Sequence, residues 1–408
     1  MVEKFDSLIK SAFMAGVSDI HLTGGHPVAF RINGILQYQP DLDWKSEEID
    51  DLVRSLLSPW QIKALRERQS IDCALSFIQS RLRINIFYTT RGFSLAIRIL
   101  PANVPSIEQL NLHPSLKEIS KLRSGLILIG GPTGVGKTST IAALVNEINH
   151  HRSSHIITLE DPIEYRQVSR ESFIEQRELG LHMPAFEQGL LDVLREDPDV
   201  IVVGEIRDPE TIKLTLNIAE SGHLVITTLH SNTSEEALHR ILNAFSMDAQ
   251  DDIRNRLAST LVWLIIQDLI YLEKFGFRVP LLSILRGNQS VKSNIREDKL
   301  HQIENIIQLG KAEGMFTKDR YLKEYLLAQK DLYPPQKAFQ PSQESNEEIE
   351  YHSPIMEPYR YFSSRDQKSE PPLSESESLS PQENRGPTIS RDSQNLHDFI
   401  HKLNKDYK

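Results

Sequence analysis

The sequence predicts an α/β protein: a nucleotide-binding α/β domain preceded by a smaller α+β domain. Three observations carry this. A glycine-rich stretch, Gly130-Gly131-Pro132-Thr133-Gly134-Val135-Gly136-Lys137-Thr138-Ser139, lies between an apolar run rich in β-branched residues and a run with helical apolar spacing. From about residue 115 to 330, short apolar runs alternate with helical ones, the pattern of parallel βαβ units. Before residue 101, short alternating runs and turns dominate instead.

The 408 residues suit two domains plus extra segments. The formal net charge of −10 speaks against a nucleic-acid footprint over the whole surface, so no nucleic-acid partner is expected. Cys73 is the single cysteine, which leaves no internal disulfide and no cysteine-rich zinc site. The amino terminus shows no basic segment followed by an apolar core, and the longest strongly apolar run, 261–266, is far short of the roughly 20 residues of a membrane span. The expectation is a cytoplasmic protein with no direct membrane insertion, any membrane contact coming through partners.

Taken in order, residues 1–100 form the small domain. Runs 20–22, 28–32 and 35–38 read as strands, with Asn33-Gly34 as a hairpin turn. Residues 46–57 read as a helix with Ser46 as N-cap and acidic residues in its first turn. Runs 82–88 and 93–99 flank a turn at Thr89-Thr90-Arg91-Gly92, and the proline-bearing stretch 101–114 is the linker. In the second domain, residues 115–330, strands are expected at 126–129, 155–159, 200–203 and 224–229, with helices at 140–148, 186–194 and 211–220. The region 249–327 reads as mostly helical, with 252–272 its longest amphipathic stretch. Residues 334–395, rich in Pro, Ser, Glu and Gln, are expected to be disordered, and 396–408 reads as a frayed end, with a short docking helix as the alternative because Leu396, Phe399, Ile400 and Leu403 fall at helical spacing.

The glycine-rich stretch contains G-x-x-x-x-G-K-[ST] from Gly131 to Thr138, and its strand-before, helix-after context makes it a phosphate-binding loop. Backbone N–H groups from Gly131 to Ser139 cradle phosphates at a helix N-terminus. Lys137 reaches the β- and γ-phosphates of a nucleoside triphosphate, and the Thr138 hydroxyl is a ligand for Mg²⁺. Each later strand delivers a polar residue just past its carboxyl end, the ligand-binding edge of an open α/β sheet. Glu205 follows the strand 200–203 and is the second candidate for the Mg²⁺ shell, acting through water. Glu160, Asp161 and Glu164 crowd another strand end and supply the candidate base. His230, after the strand 224–229, is placed to sense the γ-phosphate.

These residues carry a resemblance. The P-loop and Ile157-Thr158-Leu159-Glu160-Asp161-Pro162-Ile163-Glu164 resemble the Walker A and Asp-box motifs of the type II/IV secretion ATPases. The runs Leu194-Arg195-Glu196-Asp197-Pro198-Asp199-Val200 and Gly204-Glu205-Ile206-Arg207-Asp208 resemble their Walker B segment. Gly222-His223-Leu224-Val225 through Thr228-Leu229-His230-Ser231 resembles their His box. The match covers about residues 5–327 and is most similar to the twitching-motility ATPases that drive type IV pilus retraction. It implies a PAS-like amino-terminal domain, a RecA-like ATPase domain and a homohexamer. Glu164 then matches the catalytic glutamate and Glu205 the Walker B glutamate, and arginines of the first domain reach the phosphates, with Arg83, Arg91 and Arg98 as candidates. The implied partners are an inner-membrane platform protein of the pilus and a second pilus ATPase. One departure concerns the family's C-terminal signature, of which only Asn294-Ile295-Arg296-Glu297 survives in the run 291–297. It leaves open an alternative, an accessory subunit that binds nucleotide with little turnover.

Overall fold

A computed structural model of the chain describes residues 2–32, 35–77, 80–100 and 103–338. The Asn33-Gly34 turn and residues 339–408, including the amphipathic run 396–403, lie outside the described residues.

The amino-terminal part is an antiparallel sheet with two faces of different character. Its strands are β1 (Asp19–Thr23), β2 (His26–Ile32), β3 (Ile35–Trp44), β4 (Ser70–Phe77), β5 (Ser80–Thr89) and β6 (Gly92–Leu100), in the order β3-β2-β1-β6-β5-β4. Alternate residues Ile20, Leu22, Ile84, Ile86, Leu95 and Ile97 point into a core closed by helices α1 (Val2–Met14), α2 (Ser46–Leu56) and α3 (Pro59–Arg68). From α1 that core takes Phe5, Leu8, Ile9 and Ala12, at helical spacing. The β2–β3 pairing runs to Ile32 opposite Ile35, the register that the expected hairpin requires. The strand β3 continues six residues past Tyr38 and tolerates Pro40 because it lies at the sheet edge. At α2 the expected cap moves by one residue. Lys45, not Ser46, holds the extended N-cap backbone, and its N–H is satisfied by the Glu48 carboxylate at 2.8 Å.

The second sheet is mixed. Its strands β7 (Gly125–Gly130), β8 (His155–Glu160), β9 (Phe173–Glu178), β10 (Val200–Val203), β11 (Leu224–Leu229), β12 (Leu261–Leu272) and β13 (Phe277–Arg286) lie in the order β13-β12-β7-β11-β10-β8-β9, parallel throughout except for β13. This is the RecA-like arrangement, with the P-loop strand near the centre. Helices α4 (Lys137–His151), α5 (Phe186–Val193), α6 (Pro209–Glu220), α7 (Ser234–Asn243), α8 (Met247–Thr260), α9 (Gln289–Arg296) and α10 (Ile303–Leu309) complete it. Successive residues of β7 face opposite cores: Leu126 and Leu128 pack with α6, α7 and α8, and Ile127 and Ile129 with α4.

The structure overturns the helical reading of 252–272. Helix α8 stops at Thr260, and Leu261–Leu272 is a strand paired parallel with β7 and antiparallel with β13. A short apolar run such as Leu261-Val262-Trp263-Leu264-Ile265-Ile266 fits a buried strand or a buried helix equally well by periodicity. Having sheet partners on both sides decides it. The stretch after residue 103 also packs closely: Ile107, Leu110 and Leu112 are buried in the second sheet's core. Asn111 holds the chain near residue 333 by a reciprocal pair of bonds, its side-chain amide donating to Tyr333 O at 2.9 Å and its carbonyl accepting from Tyr333 N at 2.7 Å. Residues 335–338, which composition assigns to the disordered tail, form a helical turn with Ala338 buried.

Candidate functional site

Strand β7 enters the P-loop and α4 leaves it, so the site begins with backbone geometry. Gly134 and Gly136 have φ of +81° and +89°, a region that favours glycine. At Gly131 the constraint is space as well: a Cβ there would lie 2.4 Å from the Gln267 carbonyl oxygen. Lys137, Thr138 and Ser139 form the first turn of α4, whose N–H groups have no partner within the helix and are free for an anion. The Lys137 ammonium donates to Gly131 O at 2.6 Å and Pro132 O at 2.9 Å. Burial lowers its pKa, opposed by the Glu205 carboxylate. Val135 is buried, while Thr133 and Gly134 are exposed at the loop tip and Pro132 is intermediate.

Glu205 and His230 stand beside this loop at the ends of β10 and β11. His230 Nδ1 is 3.5 Å from Lys137 Nζ, and its Nε2 is 3.1 Å from Glu205 Oε1. Arg207 donates to the other Glu205 oxygen at 2.7 Å. Burial works to raise the Glu205 pKa, but the Arg207 hydrogen bond and the positive charges around it win, and the net shift is downward. Arg240 anchors the His230 backbone carbonyl at 2.9 Å. Lys137, His230 and Glu205 thus form one continuous polar line.

The third strand end, after β8, divides its carboxylates. Glu160 turns inward, where Thr158 and Gln176 donate to its Oε1 at 2.7 and 3.0 Å, and burial pushes its pKa up to about 7. Glu164 is reached from the other sheet by Arg83, at 3.4 Å. Arg83 and Arg98 are cross-strand neighbours on β5 and β6, like charges that would repel without separate partners. Arg98 is held by Asp19 at 2.8 Å within the amino-terminal sheet. Arg91 is exposed in the β5–β6 turn. Of the arginines singled out in the sequence, Arg83 is therefore the one brought to a site carboxylate.

Several participants are not evident from sequence. Gln267 of β12 lies under the P-loop, donating to Val135 O at 2.6 Å and accepting from the Thr140 hydroxyl at 2.7 Å. A polar residue inside the apolar run 261–272 was the available signal. Tyr165 and Ser139 share a hydrogen bond of 2.7 Å between their hydroxyls, joining the first turn of α4 to the segment after Glu164. Arg81 pairs with Glu178, buried, two residues from Arg83.

The donor set also fits the metal that the P-loop implies. Among the described residues no cluster of three or more His, Cys, Asp or Glu side chains could hold an ion by itself. Mg²⁺ does not need one: it keeps several waters and takes one or two protein oxygens plus substrate phosphates. The Thr138 hydroxyl and the ionised Glu205 are donors of that kind. Among the described residues no helix is long and apolar enough to cross a membrane.

The family model described as "Type II/IV secretion system protein" matches residues 1–296. The chain is 41% identical over 313 residues to the "Uncharacterized protein YggR" of Escherichia coli, covering 76% of this chain and 95% of that one. It is 37% identical over 316 residues to a "Twitching motility protein" of Neisseria gonorrhoeae, covering 77% and 84%. A crystal structure of the pilus retraction motor PilT with bound ADP superposes with a TM-score of 0.73 at 37% identity, covering 83% of this chain and 97% of that one.

Proposed function

The chain belongs to the type II/IV secretion system protein family, and from that premise we propose that it is a motor ATPase that powers type IV pilus retraction. The observation that carries the proposal is the single edge where the P-loop, the Lys137–His230–Glu205 line and the Arg83–Glu164 pair meet. The P-loop amides and Lys137 bind the phosphates of ATP. Lys137 exchanges the carbonyls of Gly131 and Pro132 for phosphate oxygens, which its flexible stem allows. Thr138 directly and Glu205 through water would hold Mg²⁺, which would supply charge neutralisation at the phosphates. Glu164 accepts the proton of the attacking water, and His230, bonded to Glu205, reports the state of the γ-phosphate to the β11 end. Arg83, and Arg98 where it comes free of Asp19, adds fixed positive charge as the transition state develops.

The active form in this reading is a homohexamer at the cytoplasmic side of the inner membrane, in contact with the platform protein of the pilus base and with a second pilus ATPase. The altered run 291–297 favours a second reading, an accessory subunit with little turnover. In the structure this run lies within and just after α9, where Val291 and Ile295 are buried. Steady-state ATP hydrolysis measured against protein concentration, with mass determined in parallel, separates the two. Specific activity that rises as rings assemble supports the motor. Absent turnover in assembled, nucleotide-bound protein supports the accessory subunit.

A further inference from the structure

Strand β5 presents Arg81 and Arg83 two residues apart and therefore on one face. Arg83 meets Glu164 at the rim. Arg81 goes deeper: its Nη2 donates to Glu178 Oε2 at 3.0 Å, with side chains only 11% and 5% exposed. The same Glu178 oxygen accepts the backbone N–H of Ile163 at 3.1 Å, and Ile163 is the residue before Glu164. The Glu178 backbone is fixed in turn, since it sits in register with the Glu160 backbone in the parallel β8–β9 pair and its N–H donates to His182 Nδ1 at 2.9 Å, which leaves the carboxylate to follow Arg81. One carboxylate oxygen thus joins the amino-terminal sheet to the backbone that carries Glu164.

We propose that Arg81 is a positioning residue for hydrolysis: acting through Glu178, it ties the backbone at Ile163, and with it the reach of Glu164, to the position of the amino-terminal sheet. The inference rests on the reading of Glu164 as the base. A shift of the amino-terminal sheet that pulls on Arg81 withdraws the acceptor from Ile163 and takes Glu164 out of line, so sheet movement and hydrolysis are coupled at this oxygen. A role limited to holding the sheets together would not need charge, because well-packed apolar side chains replace buried ion pairs with little loss of stability. Apolar side chains cannot accept the Ile163 N–H.

That difference sets the test. The full chain is compared with the double variant Arg81→Met/Glu178→Met, with Arg81→Lys and with Glu164→Gln, measuring kcat, KM for MgATP, nucleotide affinity and thermal unfolding. The folded Met pair should lose about 10²-fold in kcat, the cost of a misplaced reacting group, with KM and affinity unchanged. Placed in the Glu164→Gln background, it should add no further loss. Arg81→Lys, which keeps the charge but not the planar fork, should lose about tenfold and serves alone if the Met pair does not fold. Wild-type kcat in a folded Met pair, or in Arg81→Lys, overturns the proposal for Arg81 even where Glu164→Gln is slow. Wild-type turnover by Glu164→Gln would instead remove the base assignment and this inference with it.

Discussion

Replacing Gln267 with leucine should loosen the P-loop from beneath while leaving every proposed phosphate-binding group in place. The side chain is 1% exposed and makes two short bonds, to Val135 O and from the Thr140 hydroxyl. Leucine approximates the volume but leaves a buried carbonyl and a buried hydroxyl without these partners. Each such group costs about 1–3 kcal/mol, so the variant should lose about 2–6 kcal/mol before the loop relaxes. In urea, with an m-value of about 3 kcal/mol/M, that is a midpoint lower by about 1–2 M. Nucleotide affinity should weaken too, because Val135 lies within the cradle and Thr140 directly follows it. Adding Thr140→Val should recover part of the stability, since removing both partners of a hydrogen bond is gentler than removing one. Unchanged midpoint and affinity in Gln267→Leu would refute the claim that β12 supports the loop.

The remaining predictions concern the site itself. Lys137→Ala should abolish ATP turnover with little change in thermal unfolding, because the ammonium serves loop carbonyls and phosphates and not the apolar core; an assay of turnover beside a melting curve checks both. Glu164→Gln should bind MgATP and hydrolyse it about 10²–10⁴-fold more slowly, whereas Glu205→Gln should shift the Mg²⁺ concentration needed for half-maximal rate; a Mg²⁺ titration of both variants separates them. Glu160 should make stability depend on pH. Burial raises its folded-state pKa to about 7, so the folded chain holds a proton that the unfolded chain releases at lower pH, and this group's contribution falls as pH rises from about 4.5 to about 7. The loss is at most about 3 kcal/mol. Denaturation of Glu160→Gln and wild type across that window should show the variant gaining relative stability as pH rises, and a constant difference would contradict the assignment.

What the sequence determined by itself is what local chemistry specifies. The P-loop could be read because its glycines, lysine and flanking strand and helix are contiguous, and the positive φ at Gly134 and Gly136 is a property of the loop alone. Glu205, His230 and the cluster Glu160, Asp161 and Glu164 could be placed at the ligand-binding edge for the same reason: each follows a short apolar strand, and parallel strands deliver their ends to one edge, whereas the choice of Glu164 within its cluster came from the family resemblance. Tertiary structure decided what depends on partners. The run Leu261–Leu272 is a strand because β7 and β13 lie beside it, and that alone brings Gln267 under the loop. Arg81, Arg83 and Arg98 are chemically identical in the sequence, yet one is sealed against Glu178, one reaches Glu164 and one is held by Asp19. Side-chain type sets what a residue is able to bind, but the packing of one sheet against another sets which carboxylate lies within its reach.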